Sequence, residues 1–243
     1  MIKVYLKQAW ELLKQNKLFS MLYIVGTGLA IAMTMVMAMV YYVKIAPVYP
    51  EVNRLNTLYL TSCKMESGTE GNKSQYQWAV SYKALQEWFY PTKNALCVSA
   101  QLDDRAFQNS YIQSADLSGD FPVKVKLTDP DFFRIYRFHF LEGSPFTASD
   151  LASGLCTAVI TDELSRRLFG TTEGVVGRSF RLDYTDYRVC GVIRSGSYLM
   201  RNSYSQVYLP YSVVSGYREP KYDMDYLGAF SVTFQVKLSL IHI

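Results

Sequence analysis

Residues 19–43 run for 25 positions without a charged side chain. At about 1.5 Å of helical rise per residue, such a run covers a hydrocarbon core of about 30 Å with some tilt. No core helix of a small soluble domain needs that length. The run therefore predicts a membrane helix over 19–43, flanked by Lys14 and Lys17 before it and Lys44 after it. The competing reading is a cleaved signal peptide, whose apolar stretch is about 7–15 residues followed by small residues at the cleavage site. Here the run is longer, and Tyr41, Tyr42 and Val43 make a poor cleavage site. The four lysines Lys3, Lys7, Lys14 and Lys17 stand against the single acid Glu11 ahead of the span. A basic short flank stays on the cytoplasmic side. The expected orientation has the N-terminus inside and everything after Lys44 outside.

Residues 2–18 read as a separate amphipathic helix. Ile2, Leu6, Ala9, Trp10 and Leu13 fall on one side at helical spacing, and Lys3, Lys7, Glu11 and Lys14 on the other. Such a helix lies flat in the headgroup layer; the alternative is a plain cytoplasmic extension of the span. Within the span, Gly26/Ala30 and Gly28/Ala32 are small residues four apart, a spacing that suits close helix packing and is also ordinary membrane-helix composition.

The chain beyond Lys44 is electrically balanced. Setting aside Lys3, Lys7, Lys14, Lys17, Lys44 and Glu11 from the 25 basic and 21 acidic residues leaves 20 of each sign. No basic excess marks a nucleic-acid partner. Hydrophobic residues make up 49% of the chain, enough for packed domains rather than a disordered stalk. Cys63, Cys97, Cys156 and Cys190 all fall in this part. An even number outside the cytoplasm permits two disulfides. The last three lie in apolar, strand-like runs, where a free thiol packs as a small hydrophobe. The spacings fit no CxxC site.

Alternation and turn residues predict strands over 57–63, 96–102, 106–113, 121–128, 156–161, 179–183, 187–193, 206–209 and 229–236, with a polar loop over 64–75. Ser81 is placed to cap a helix carrying Ala84, Leu85, Trp88 and Phe89, stopped before Pro91. Strand, helix and strand over 57–102 suggest direct parallel pairing. Asp129-Pro130 starts a short helix holding Phe132, Phe133 and Ile135. A helix over 162–169 closes at Gly170. The mixture without strict alternation points to an α+β fold in two lobes.

No residues are assigned to a catalytic, cofactor-binding or metal site. No GxxxxGK[ST], HExxH or GxSxG occurs. Gly174, Gly177 and Ser179 resemble a phosphate loop without its lysine or spacing. His139 lies among aromatics and reads as a packed side chain. Asp103-Asp104 and Asp183/Asp186 read as turn acids. Tyr198, Tyr204 and Tyr208 fit either a contact surface or a core edge.

Five ordered pieces carry a resemblance: VKLTDPDFFRIYRFHFLEGSPFTASD at 125–150, TAVITDELSRRLFG at 157–170, GVVGRSFRL at 174–182, YRVCGVI at 187–193 and VYLP at 207–210. In this order they resemble the periplasmic core domain of MacB/FtsX-type ABC transporter permeases, and the N-terminal WELLKQNKLFS agrees. The region 64–113 matches only in its strand and helix pattern. The resemblance implies a permease subunit that carries ATP-driven motion to substrate export or to a periplasmic partner. It implies a separate ABC ATPase subunit, a second permease copy, and in some members a periplasmic adaptor or outer-membrane partner, in the cell inner membrane. It implies no enzyme activity and no cofactor in this chain. The expected division is 1–18 amphipathic helix, 19–43 membrane helix, 44–126 first half of a porter-like lobe, 127–215 an inserted small α/β lobe, and 216–237 the start of the second half. The terminal LSLIHI, 238–243, resembles a translated transposase sequencing adapter, which makes the chain a truncated fragment lacking the family's later membrane helices. The rival reading is a single-pass anchored binding or sensor domain.

Overall fold

In the computed structural model, residues 2–67, 74–113, 119–220 and 225–237 are described. Gly68 and Gly71, most of the turn expected at 116–120, and the terminal 238–243 lie outside them. The chain divides into two units, Met1–Ala46 and Pro47–Ile243.

Two helices form the first unit, α1 (Ile2–Gln15) and α2 (Lys17–Ile45). They meet at Asn16, whose φ of −120° and ψ of 62° leave the helical region. α2 starts two residues before the expected span and ends two after it. It is long and apolar enough to cross a membrane, and none of its residues is buried. Thr27 and Thr34 turn their hydroxyls back onto Tyr23 O (2.7 Å) and Ala30 O (2.8 Å), which satisfies each hydroxyl within the helix itself. Extended backbone at Ala46, ψ 146°, ends the helix just before Pro47, as proline imposes on its predecessor.

The second unit is α+β. In chain order it holds β1 (Thr57–Leu60), β2 (Cys63–Ser67), β3 (Ser74–Val80), α3 (Tyr82–Ala84), β4 (Ala95–Leu102), β5 (Ser110–Gln113), β6 (Asp120–Val123), β7 (Val125–Thr128) and α4 (Phe132–Ile135). There follow β8 (Phe140–Gly143), α5 (Ala148–Ser153), β9 (Thr157–Thr161), α6 (Asp162–Phe169), β10 (Ser179–Leu182), β11 (Thr185–Ile193), β12 (Val207–Pro210), β13 (Leu227–Gly228) and β14 (Phe230–Val236). One branched sheet joins the described strands in the order β13-β3-β14-β4-β7-β12-β9-β11-β10-β5-β6, with β1 on β14, β2 on β3 and β8 on β11.

The expected direct pairing of β1 with β4 is replaced by an insertion. β14 lies between them, antiparallel to both, with Tyr59 opposite Thr233 and Ser99 opposite the same Thr233. Strands 1 and 4 still point the same way, as the helical crossover requires, but a strand about 130 residues further along fills the gap. The described residues of the expected 64–75 loop, 64–67 and 74–75, are instead strand. β2 and β3 form a ribbon that pairs Cys63 with Trp78 and Met65 with Tyr76 on one face. Its other face carries Glu66 and Gln75, bonded at 2.9 Å. Both faces keep exposed residues, so its composition reads as loop. The single strand expected over 121–128 breaks at Lys124: β6 pairs with β5, whereas β7 pairs with β4 and β12. The strand expected over 106–113 begins as a 3-10 turn, Arg105–Phe107, and is extended only as β5. β5 meets β10 at Ile112 and Leu182. β8 and α5 were not foreseen from the sequence; Thr147 and Asp150 close a reciprocal cap on α5.

The other caps follow their residues. Ser81 Oγ accepts the Ala84 N–H at 3.2 Å, and the turns after α3 widen to a π-helix over Leu85–Phe89. Thr161 caps α6, which ends at Gly170 with φ 72°. The β10–β11 turn is tighter than expected, Asp183-Tyr184, with both residues at positive φ (45° and 68°), the geometry that matches strand twist in a two-residue hairpin.

Gly143, Gly191 and Gly228 are close-approach glycines. Gly143 has φ 71°, and a Cβ there would collide with the Cys190 carbonyl oxygen; one on Gly191 would sit 2.6 Å from Ser144 O. At Gly170, also at positive φ, nothing lies within 4 Å. Gly170→Ala should therefore cost about 1–2 kcal/mol from backbone strain alone, and Gly143→Ala at least about 3 kcal/mol, because strand β8 must also move off β11. Thermal unfolding of the detergent-solubilised chain checks the ranking, and equal losses would contradict it.

Candidate functional site

The segment directly after α2 is built into the second unit by a set of polar anchors. Glu51 is buried, 3% exposed. Its Oε2 accepts from Arg54 Nε (2.9 Å) and Nη2 (2.6 Å), and its Oε1 from Ser203 Oγ (2.7 Å). Both carboxylate oxygens are thereby engaged, which makes burial of the charge tolerable. Asn53 Nδ2 donates to Ile135 O at 3.0 Å. The Arg137 N–H donates to Pro50 O at 3.1 Å. Tyr49 OH donates to Arg194 O at 2.8 Å and accepts the His139 N–H at 3.1 Å. Residues 49–54 thus form a strap tied to α4, to the β11 end and to the loop before β12.

Under the strap sits an aromatic cluster supplied by the FFRIYRFHF run. Phe132, Phe133, Ile135 and Tyr136 are buried with Phe146, Val159, Ile193 and Tyr208. Phe133 packs edge-on to Phe146 at 5.4 Å between centroids and lies 5.8 Å from Tyr208. Asp129 aligns α4. Its carboxylate accepts from Ser99 Oγ (2.7 Å), the Ala100 N–H (2.7 Å), the Phe132 N–H (3.1 Å) and Tyr90 OH (3.1 Å). Asp129 accepts the Phe132 N–H as expected of a cap, but the helix begins two residues later than Pro130, at Phe132, with Asp131 at its N-cap position. Burial pushes the Asp129 carboxyl up to about 6, against the Ala100, Ser99 and Tyr90 donors that favour the ion.

Beside the strap, β4 and β7 face the loop 198–205 across a cleft of about 720 Å³. Lys126 reaches in from β7. Its Nζ donates to Asn202 O (2.8 Å), Gln101 Oε1 (3.1 Å) and Arg201 O (3.4 Å). Loss of hydration draws this ammonium down to about 8, although Glu51 and Asp103 pull the other way. Lys124, two residues earlier and past the strand break, lies 4.0 Å from the Tyr198 ring centre and 5.7 Å from that of Tyr204. Lys126 therefore pins the loop, while Lys124 and the two tyrosines form an amphipathic rim. The cleft can hold a molecule, but it brings together no nucleophile with a base. Among the described residues no three His, Cys, Asp or Glu side chains gather as a metal site.

The other residues singled out in the sequence separate. His139 is exposed rather than packed; the strand end at β8 turns it outward and only its backbone is engaged. Tyr208 is buried, accepting from the Ser205 N–H and donating to Ser203 O. Tyr198 and Tyr204 line the cleft. Asp104 caps a 3-10 turn through the Ala106 N–H, and Asp183 accepts the Tyr111 N–H. Gly174 and Gly177 lie in turns at positive φ. All four cysteines are free. Cys97 and Cys190 are partly buried, and burial pushes both thiols up to about 12. Cys156 departs from the expected burial: it lies one residue before β9 and is exposed.

These features define a class: a chain with one apolar helix of membrane-spanning length, followed by an α+β unit with an open cleft and no assembled metal centre among the described residues. A family model described as the MacB-like periplasmic core domain matches residues 20–239, and the chain belongs to that family. It is 25% identical over 217 residues to the macrolide export ATP-binding/permease protein MacB of Shigella dysenteriae serotype 1. The same identity relates it to the MacB of Escherichia coli K12. Each match covers 87% of this chain, which spans about a third of the length of these relatives (31% and 32%). The crystal structure of the periplasmic region of MacB from Actinobacillus actinomycetemcomitans matches with a TM-score of 0.53 at 14% identity, covering 75% of each chain; it supports the fold.

Breaking the strap and breaking a surface pair should differ sharply. Glu51→Ala leaves the Arg54 guanidinium, 14% exposed, without that partner, and should cost about 3 kcal/mol. Arg181 pairs with Asp186 with both side chains more than half exposed, so Arg181→Ala should cost under about 1 kcal/mol. Comparable losses in thermal unfolding would contradict the strap's role.

Proposed function

We propose that this chain is the anchoring and extracytoplasmic portion of an ABC transporter permease of the MacB/FtsX type. The observation that carries the reading is the family match from residue 20 to 239, which takes in most of α2 and the whole described α+β unit. In this reading α2 crosses the cell inner membrane with its N-terminus cytoplasmic, and the unit from Pro47 stands in the periplasm. ATP hydrolysis belongs to a separate ATPase subunit, and a second permease copy completes the transporter. Motion at the end of α2 enters the periplasmic unit through the strap 49–54, which is fastened at both carboxylate oxygens of Glu51. The output is export of a substrate or a push on a periplasmic partner.

The unit divides, in this reading, into a porter-like lobe around β1, β14 and β4 and an inserted α/β lobe around β9, β11 and β10. The β5–β6 hairpin falls within the expected 44–126 half, and the pairing of Ile112 with Leu182 supports grouping it with the inserted lobe instead. The cleft bearing Lys124, Lys126, Tyr198 and Tyr204 lies at the junction, where relative movement of the lobes would change its width.

Orientation has a direct test. Cys156 is the cysteine that stands exposed. A membrane-impermeant maleimide added to intact bacterial spheroplasts should label the chain, and Cys156→Ser should remove most of that labelling. Labelling that appears only after lysis would place the unit in the cytosol and overturn the reading.

A further inference from the structure

We propose that the crevice between α1 and α2 binds one anionic phospholipid, its phosphate held by Lys14 and Lys17 and an acyl chain lying along the apolar wall. The proposal rests on the reading of α2 as embedded in a membrane. The crevice is shallow and open along one side, with a volume of about 360 Å³. Trp10 and Leu13 of α1 form one wall, and Ile24 and Val25 of α2 belong to the other. The polar side chains reaching it are Lys14, Lys17 and Ser20, which the break at Asn16 places where the two helices meet. The chemistry is therefore graded: cations and a hydroxyl at the joint, hydrocarbon further along α2.

A crevice of this kind does not stay empty in a bilayer. Its apolar walls give water too few hydrogen-bond partners to hold it. A neutral lipid chain would satisfy those walls but would leave two ammonium groups unmatched at the joint. An anionic headgroup matches both features, and each lysine near a charged lipid surface contributes about 1 kcal/mol. Glu11 approaches Lys14 at 3.6 Å, with both side chains 56% exposed; such a pair is weak enough for a phosphate to displace. Lys14 also lies 5.7 Å from the Trp10 ring, so the indole borders the phosphate position and reports on it.

The test uses the full chain in vesicles of phosphatidylcholine mixed with phosphatidylglycerol, with bromine on the acyl chains of one lipid at a time. Trp78→Phe/Trp88→Phe leaves Trp10 as the emitting indole; if that background misfolds, the difference between the unaltered chain and Trp10→Phe isolates the same signal. Brominated phosphatidylglycerol should quench Trp10 at about one-thirtieth the mole fraction that brominated phosphatidylcholine needs, the ratio that two lysines at about 1 kcal/mol each would set. Lys14→Gln/Lys17→Gln should bring the two lipids level, whereas Lys3→Gln/Lys7→Gln, on the same helix away from the crevice, should leave the preference intact. Equal quenching in the unaltered pair of lysines overturns the proposal, as does equal loss of preference in both double variants, which would mean diffuse attraction of a basic helix. Quenching by neither lipid removes the membrane reading of this unit itself.

Discussion

The carboxylate of Glu51 is the interaction on which the proposed mechanism depends. It lies six residues past the end of α2, in a stretch with no regular structure of its own. A free stretch of this kind would let an anchor helix and a folded unit move independently. Two guanidinium N–H groups and one serine hydroxyl bind the Glu51 oxygens within 3 Å, and Asn53 and Arg137 add backbone ties. Removing Glu51 takes a charged partner from Arg54, whose side chain is only 14% exposed, and the loss of such a pair away from bulk water is costly.

What the strap is fastened to must itself be stiff. The aromatic cluster provides that, since interdigitated rings resist small displacements. Asp129 joins it to the sheet by accepting from β4, from the first N–H of α4 and from Tyr90. β14 joins β1 to the sheet, being hydrogen-bonded to β1 on one edge and β4 on the other. Each layer is rigid because a polar node or a nonlocal strand fixes it, and Lys126 fastens the cleft loop to the same framework.

The parts legible in the sequence were those fixed by local physics. The length of the apolar run gave α2, the closing Gly170 gave the end of α6, and alternation on either side of a short turn gave β10 and β11. The five ordered motifs also pointed to the family. What escaped was nonlocal. Nothing in residues 57–102 announces that a strand from 230–236 will separate β1 from β4. The β2–β3 ribbon hides because both faces stay partly wet, so its polar residues imitate a loop. Glu51 and Lys126 look like surface charges in the sequence; their burial follows only from what folds over them. A faint signal existed at Lys124 and Lys126, two cations at strand spacing beside apolar Val125 and Leu127, but the break at Lys124 sends them to different tasks.

Hydrogen exchange on the membrane-reconstituted chain tests the strap most directly. The amides of Arg54, Asn56 and Arg137, bonded to Glu51 O, Asn53 O and Pro50 O, should exchange as slowly as those of β4 and β14. Exchange of those three at the rate of an open loop, with the sheet still protected, would mean that the segment after α2 is a slack tether, and the mechanical account would be wrong.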